Sequence, residues 1–106
     1  MIVSSLNFVP GKKVVNSLGI VRGNTIRARH LGRDLMAGLK SLVGGEIREY
    51  TKMIAESREQ SLDRMTEEAQ SLGADAILNV RFSTSAVMRS AAEILVYGTA
   101  VQLADE

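Results

Sequence analysis

Residues 93–103, EILVYGTAVQL, are apolar on nearly both faces of an extended strand. A strand buried on both sides needs one layer above it and another below. In a chain of 106 residues, one helical layer covers one face of a sheet and leaves the other to be covered from outside. This segment therefore points to a two-layer subunit that associates with copies of itself.

The helical layer is supplied by residues 46–72. Ile47, Tyr50, Ile54, Leu62, Met65, Ala69 and Leu72 share one face at helical spacing, and neither Gly nor Pro interrupts them. The other faces carry Lys, Arg, Glu, Gln and Ser, as a solvated surface does. Glu46 and Glu49 suit the positive helix N-terminus, and Gly73 is placed to end the helix. Arg58 falls inside the apolar stripe, between Ile54 and Leu62. A charge there needs a partner or an exit to water. Asp34 is the expected partner in an ion pair within or between subunits; the alternative is an arginine that holds a ligand.

Upstream, residues 13–22 are β-branched and roughly alternating, which predicts a strand after the Pro10-Gly11 turn. Residues 2–8 suggest a short edge strand, and Gly23-Asn24 breaks the pattern. Over residues 28–43, Leu31, Leu35, Gly38, Leu39 and Leu42 recur at helical spacing. Gly44-Gly45 then reads as a corner between two helices, with a positive φ at one glycine and Glu46 opening the second helix. It follows no strand, and no Gly-Lys-Ser/Thr comes after it, so it lacks the context of a phosphate loop. Residues 75–83 alternate as a strand, with Ala76, Leu78, Val80 and Phe82 on one face and Ile77, Asn79 and Arg81 on the other. Residues 83–89 read as a loop or hairpin bend before the final strand. The fold class is α+β: a single domain over residues 1–106, in the order β-α-α-β-β. The last two strands form an antiparallel hairpin with the first strand beside them, and one long helix lies across the sheet.

Charge and composition exclude several functions. The 13 basic and 12 acidic residues give a net charge of +1, without the basic footprint or stacking aromatics of a nucleic-acid binder. The N-terminal third is locally basic, through Lys12, Lys13, Arg22, Arg27, Arg29 and Arg33. The absence of cysteine removes disulfides, zinc-thiolate sites and thiol catalysis. No apolar run approaches the ~20 residues that span a bilayer, and the N-terminus lacks the charged leader of a signal peptide. The expectation is a soluble cytoplasmic protein that binds neither membranes nor nucleic acid.

The ordered set Gly19-x-Val21-x-Gly23, Arg33-Asp34, Val43-Gly44-Gly45 with Tyr50, Arg58, Gly73-Ala74-Asp75-Ala76 and Gly98-Thr99-Ala100-Val101 resembles the YbjQ-like family of small bacterial and archaeal proteins. The match runs over residues 15–103. The resemblance implies a two-layer subunit in a ring-shaped homo-oligomer, usually described as a pentamer. It also brings the family's heavy-metal-binding label. The family has no established catalysis, so the resemblance assigns no catalytic residue.

Soft metals prefer thiolate, thioether or imidazole ligands. The chain offers one histidine, His30, and five methionines without a Met-x-Met cluster. His30 is thus the candidate metal ligand for a divalent or heavy metal ion. A single histidine also leaves little for a Ser-His-Asp arrangement, and the expectation is no enzyme. The favoured function is a non-enzymatic homo-oligomer that holds any ligand at a subunit interface. The candidate groups are Arg33, Asp34, Arg58, Tyr50 and the backbone of Gly44 and Gly45. The alternative is a small anionic ligand held by Arg33 and Arg58, since arginine grips carboxylate or phosphate with two parallel bonds.

Overall fold

The computed structural model describes residues 1–28, 45–88 and 91–106, with side chains placed for 1–26, 52–85 and 92–106. Two long strands run through it: β2 (Lys12–Ala28) and β4 (Ala91–Asp105). With β1 (Ile2–Val3) and β3 (Ala76–Met88) they form one sheet in the order β1-β3-β4-β2. β4 is central and antiparallel to both neighbours, while β1 runs parallel to β3 at the far edge. The helix α1 (Gly45–Ser71) packs on β2 and β4. The α+β class, the antiparallel hairpin β3–β4 and the long helix over the sheet all agree with expectation.

The 17 residues of β2, at about 3.3 Å each, account for the length of the molecule. Its extents are 57 × 21 × 16 Å and its radius of gyration 17.6 Å, against about 13 Å for a compact domain of this size.

Two sequence expectations on strand bounds are corrected, and a third, the first helix, falls almost wholly outside the described residues. Gly23-Asn24 does not break a strand, because β2 continues to Ala28. A Cβ on Gly23 would lie 2.0 Å from the Ser61 carbonyl oxygen and 2.6 Å from the Met65 nitrogen, so the glycine marks a close helix–strand contact. The expected helix from residue 28 meets Ala28 still in β2, and residues 29–44 lie outside the described part. Residues 83–88 are not a loop, since β3 extends to Met88.

The side of the sheet facing α1, the inner face, carries a core of Val21, Ile77, Val96 and Ala100 against Met65 and Ala69. On the outer face, Ala76, Leu78 and Val101 form a second small core, closed by Val9 and Leu103. The N-terminal arm is held there by bonds from the Ser4 amide to the Ile77 carbonyl (2.9 Å) and from the Asn79 amide to the Leu6 carbonyl (2.9 Å).

A bulge between these two halves of β3 shifts its alternation. The register with β4 jumps between Leu78 and Arg81, and Asn79 adopts a φ of 55°. An asparagine tolerates this left-handed conformation better than most residues. Ala76 and Leu78 therefore face outward, whereas Phe82 pairs with Val96 on the inner face. The expected common face for Ala76, Leu78, Val80 and Phe82 is split in two.

α1 ends as its sequence predicts. Gly73 has a φ of 81°, its amide bonds to the Gln70 carbonyl at 3.0 Å, and the Ala74 amide reaches back to Ala69 at 3.1 Å. This pair of bonds is the Schellman closure that glycine permits.

Candidate functional site

The phase of α1 sets the site. Among its described side chains, from Lys52 onward, the buried positions are Ser57, Ser61, Met65 and Ala69, at a spacing of four. Met65 and Ala69 belong to the expected stripe, Ile54 and Leu62 are half-buried, and Leu72 is 46% exposed. Arg58 sits about 60° round the helix from Ser61 and is exposed. The expectation of an arginine inside the buried stripe is therefore wrong. Two serines hold the centre of the contact because their hydroxyls find partners there.

Those partners are specific. Ser61 Oγ lies 3.1 Å from the Ile94 carbonyl, 2.9 Å from the Ser57 carbonyl and 3.2 Å from Thr25 Oγ1. Thr25 Oγ1 also donates to the Ser57 carbonyl at 3.3 Å, and Ser57 Oγ to the Met53 carbonyl at 2.9 Å. Buried hydroxyls that bond back along a helix satisfy themselves without a charge. Small side chains at 57 and 61, above Gly23, bring α1 close to β2.

Because α1 lies over β2 and β4, the inner face of β3 beyond Ile77 stays partly open. An open groove of about 710 Å³ runs between α1 and β3. Its apolar wall is Ala55, Leu62 and Phe82, and Phe82 is 45% exposed. Lys52 and Arg58 supply cations at the rim; Glu56 and Glu59 supply acids. Such a groove suits a ligand with a flat apolar body and an anionic end, since a guanidinium offers two parallel donors.

Of the sequence candidates, Arg58 lines this groove. Gly45 opens α1 and Tyr50 lies in its second turn, with the Tyr50 side chain outside the described part. His30, Arg33, Asp34 and Gly44 lie outside the described residues, so the expected Asp34–Arg58 pair is not among the contacts seen. Lys52 and Phe82 were missed. Phe82 is one of only two phenylalanines, but the bulge at Asn79 hides which face it joins.

A heavy metal does not fit the donors placed here. Among the described residues no group of three His, Cys, Asp or Glu side chains could hold an ion, and the chain has no thiol. Among those residues, too, no helix is long and apolar enough to cross a membrane.

A family profile described as "Putative heavy-metal-binding" matches residues 1–104. A UPF0145 protein of Methanosarcina acetivorans is 54% identical over 103 residues, covering 97% of each chain. A UPF0145 protein of Thermus thermophilus is 58% identical over 103 residues, covering 97% of this chain and 90% of its own. A crystal structure from Pediococcus pentosaceus, of a protein of unknown function in the DUF74 family, superposes with a TM-score of 0.68. Its identity is 13%, over 98% of both chains, so the likeness is one of fold. The chain belongs to the YbjQ family, and these relatives of it carry the name UPF0145.

Proposed function

We propose that the protein is a cytoplasmic, non-enzymatic homo-oligomer, a ring of the pentameric kind implied by the family resemblance, that holds a small ligand where subunits meet. One observation carries the assembly. On the outer sheet face Ile20 is 73%, Tyr97 40% and Ile26 60% exposed, and they are linked only on diagonals, Ile20 to Tyr97 and half-buried Leu95 to Ile26, across the paired strands β2 and β4. Scattered apolar residues are ordinary on a surface, but a contiguous set on one sheet face marks an interaction site. The elongated shape supports the same reading.

The ligand class favoured by the groove is a small anion with an apolar body, gripped by Arg58 and Lys52. Arg33, the other arginine of the sequence reading, lies outside the described residues. The metal reading draws support from the family description and rests on His30.

Native mass spectrometry of protein purified without a metal-affinity tag tests both parts. An oligomer with retained non-protein mass is expected, and a monomer at micromolar concentration overturns the assembly. Calorimetric titration with zinc, copper and nickel separates the ligand classes. Stoichiometric binding that His30→Ala abolishes would replace the anion reading with the metal one.

A further inference from the structure

Two surfaces lack partners among the described residues, and they lie on opposite sides of the two layers. The first is the upper half of the outer sheet face. Its cross-strand rows are Arg22–Tyr97–Arg81, Asn24–Leu95–Ser83 and Ile26–Glu93–Ser85. The lower half is closed by the chain's own N-terminal arm through Val9. The upper half has no such cover among the described residues. Arg22 and Arg81 flank the exposed Tyr97. The Arg81 guanidinium donates to the Ser5 and Val80 carbonyls, both at 2.9 Å, which holds that cation beside the row. The acid on this half, Glu93, is four residues along β4 and accepts from Asn24 Nδ2 at 3.2 Å.

The second surface is the outside of α1. Glu56, Glu59, Asp63 and Glu67 are exposed and follow one another at spacings of three and four, so they form one stripe. None takes part in an ion pair among the described residues, where the salt bridge is Lys12–Asp105. Buried hydrogen bonding consumes the opposite side of the helix.

We propose that these two surfaces cover each other: the outer face of α1 in one copy lies on the upper sheet face of the next. This inference rests on the self-assembly proposed above and names the surfaces that make it. The charge fits, with Arg22 and Arg81 meeting the carboxylate stripe around an apolar centre of Ile20, Leu95 and Tyr97. The layers fit as well. A sheet half with an uncovered apolar centre between polar positions can be completed by a second, amphipathic helical layer, and α1 of another copy supplies one. The contact joins two different surfaces, so it runs head to tail, and a head-to-tail contact closes into a ring when its rotation closes. Glu56 and Glu59 also rim the groove, which places the groove at the edge of the contact and makes it an interface site.

Charge exchange tests the contact. Arg22→Glu alone, and Glu59→Arg with Asp63→Arg, should each raise the dissociation concentration of the oligomer roughly tenfold or more, through like charges set face to face. The triple variant restores opposite signs and should return to within roughly threefold of wild type. The measurements are native mass spectrometry and light scattering on dilution, with circular dichroism to confirm folding. If any variant fails to fold, a cross-link replaces it. The chain has no cysteine, so Asn24→Cys with Glu59→Cys should give a ladder of disulfide-linked oligomers on oxidation, and each single cysteine should not. A wild type that is monomeric overturns both proposals. A wild-type oligomer indifferent to the reversals, or a double-cysteine chain without a ladder, overturns this contact and leaves the assembly standing.

Discussion

Gly23 of β2 and Ser61 of α1 are pressed together so closely that a single methyl group on the glycine would stand 2.0 Å from the serine carbonyl. The atoms in the way are backbone: the Ser61 oxygen and, at 2.6 Å, the Met65 nitrogen. Neither can swing aside as a flexible side chain would. Gly23→Ala must therefore lift the helix off the sheet. It should destabilise the subunit by about 2–3 kcal/mol, the upper part of the range for overpacking. Urea unfolding would read this as a lower midpoint, and an unchanged midpoint would mean that α1 packs less closely than it does here.

The lift would be felt next door, where Ser61 bonds to Ile94 and Thr25. Ser61→Ala removes a donor between two carbonyls and leaves the Thr25 hydroxyl with the Ser57 carbonyl alone. The expected loss is about 1–2 kcal/mol. Thr25→Val keeps the shape and removes the other hydroxyl. A double-mutant cycle should give a coupling of about 0.5–1 kcal/mol between residues 25 and 61. Strict additivity would show that the 3.2 Å approach of the two hydroxyls carries no energy.

These same residues show what a sequence conceals. Gly23 looks like a break because glycine punctuates chains, yet here it serves contact; only a packed partner distinguishes the two uses. Ser57 and Ser61 look solvated because their hydroxyls are polar; Ser57 Oγ is satisfied four residues back by the Met53 carbonyl, and Ser61 Oγ also meets Thr25 Oγ1 and the Ile94 carbonyl, which lie 36 and 33 positions away. Their burial turns the helix, and that turn carries Arg58 out of the core and onto the groove. The bulge at Asn79 has a like effect in β3, moving Phe82 to the inner face. By contrast, Gly73, the β3–β4 hairpin and the long uninterrupted helix were legible, because local chemistry alone decides them. The two-sided apolar character of β4 was legible too: Val96 and Ala100 face α1 while Val101 faces the arm.

The Lys12–Asp105 pair joins the ends of β2 and β4. A hydrogen bond from Lys12, and its charge, hold the Asp105 carboxyl below its ordinary range. The sign follows from linkage. A carboxylate whose folded pKa is depressed adds stability that is present above its unfolded pKa and lost as pH falls through the folded one. The carboxyl is fully exposed, so the effect is small and screened by salt. An NMR titration should place Asp105 lower in wild type than in Lys12→Met, and added salt should narrow the gap. Identical titrations in the two proteins would show that the ends of the ribbon do not hold this pair in solution.

Arg58 separates a structural from a binding role more sharply than any other residue. Inside a buried stripe, paired with an acid, its loss would cost about 3–5 kcal/mol. On the exposed rim where it sits, Arg58→Leu should change stability by no more than about 0.5 kcal/mol. Binding should change instead. An aromatic sulfonate dye such as 1-anilinonaphthalene-8-sulfonate combines a flat apolar body with one negative charge, which matches Phe82 and Leu62 beside Lys52 and Arg58. Wild type should bind it with enhanced fluorescence. Arg58→Leu should weaken that binding by roughly tenfold, about the loss of one charge-assisted bond. Phe82→Ala should weaken it as well, by removing the apolar wall, while Glu67→Gln, away from the groove, should leave it unchanged. Equal dye binding in wild type and Arg58→Leu, together with unchanged stability, would remove Arg58 from any site.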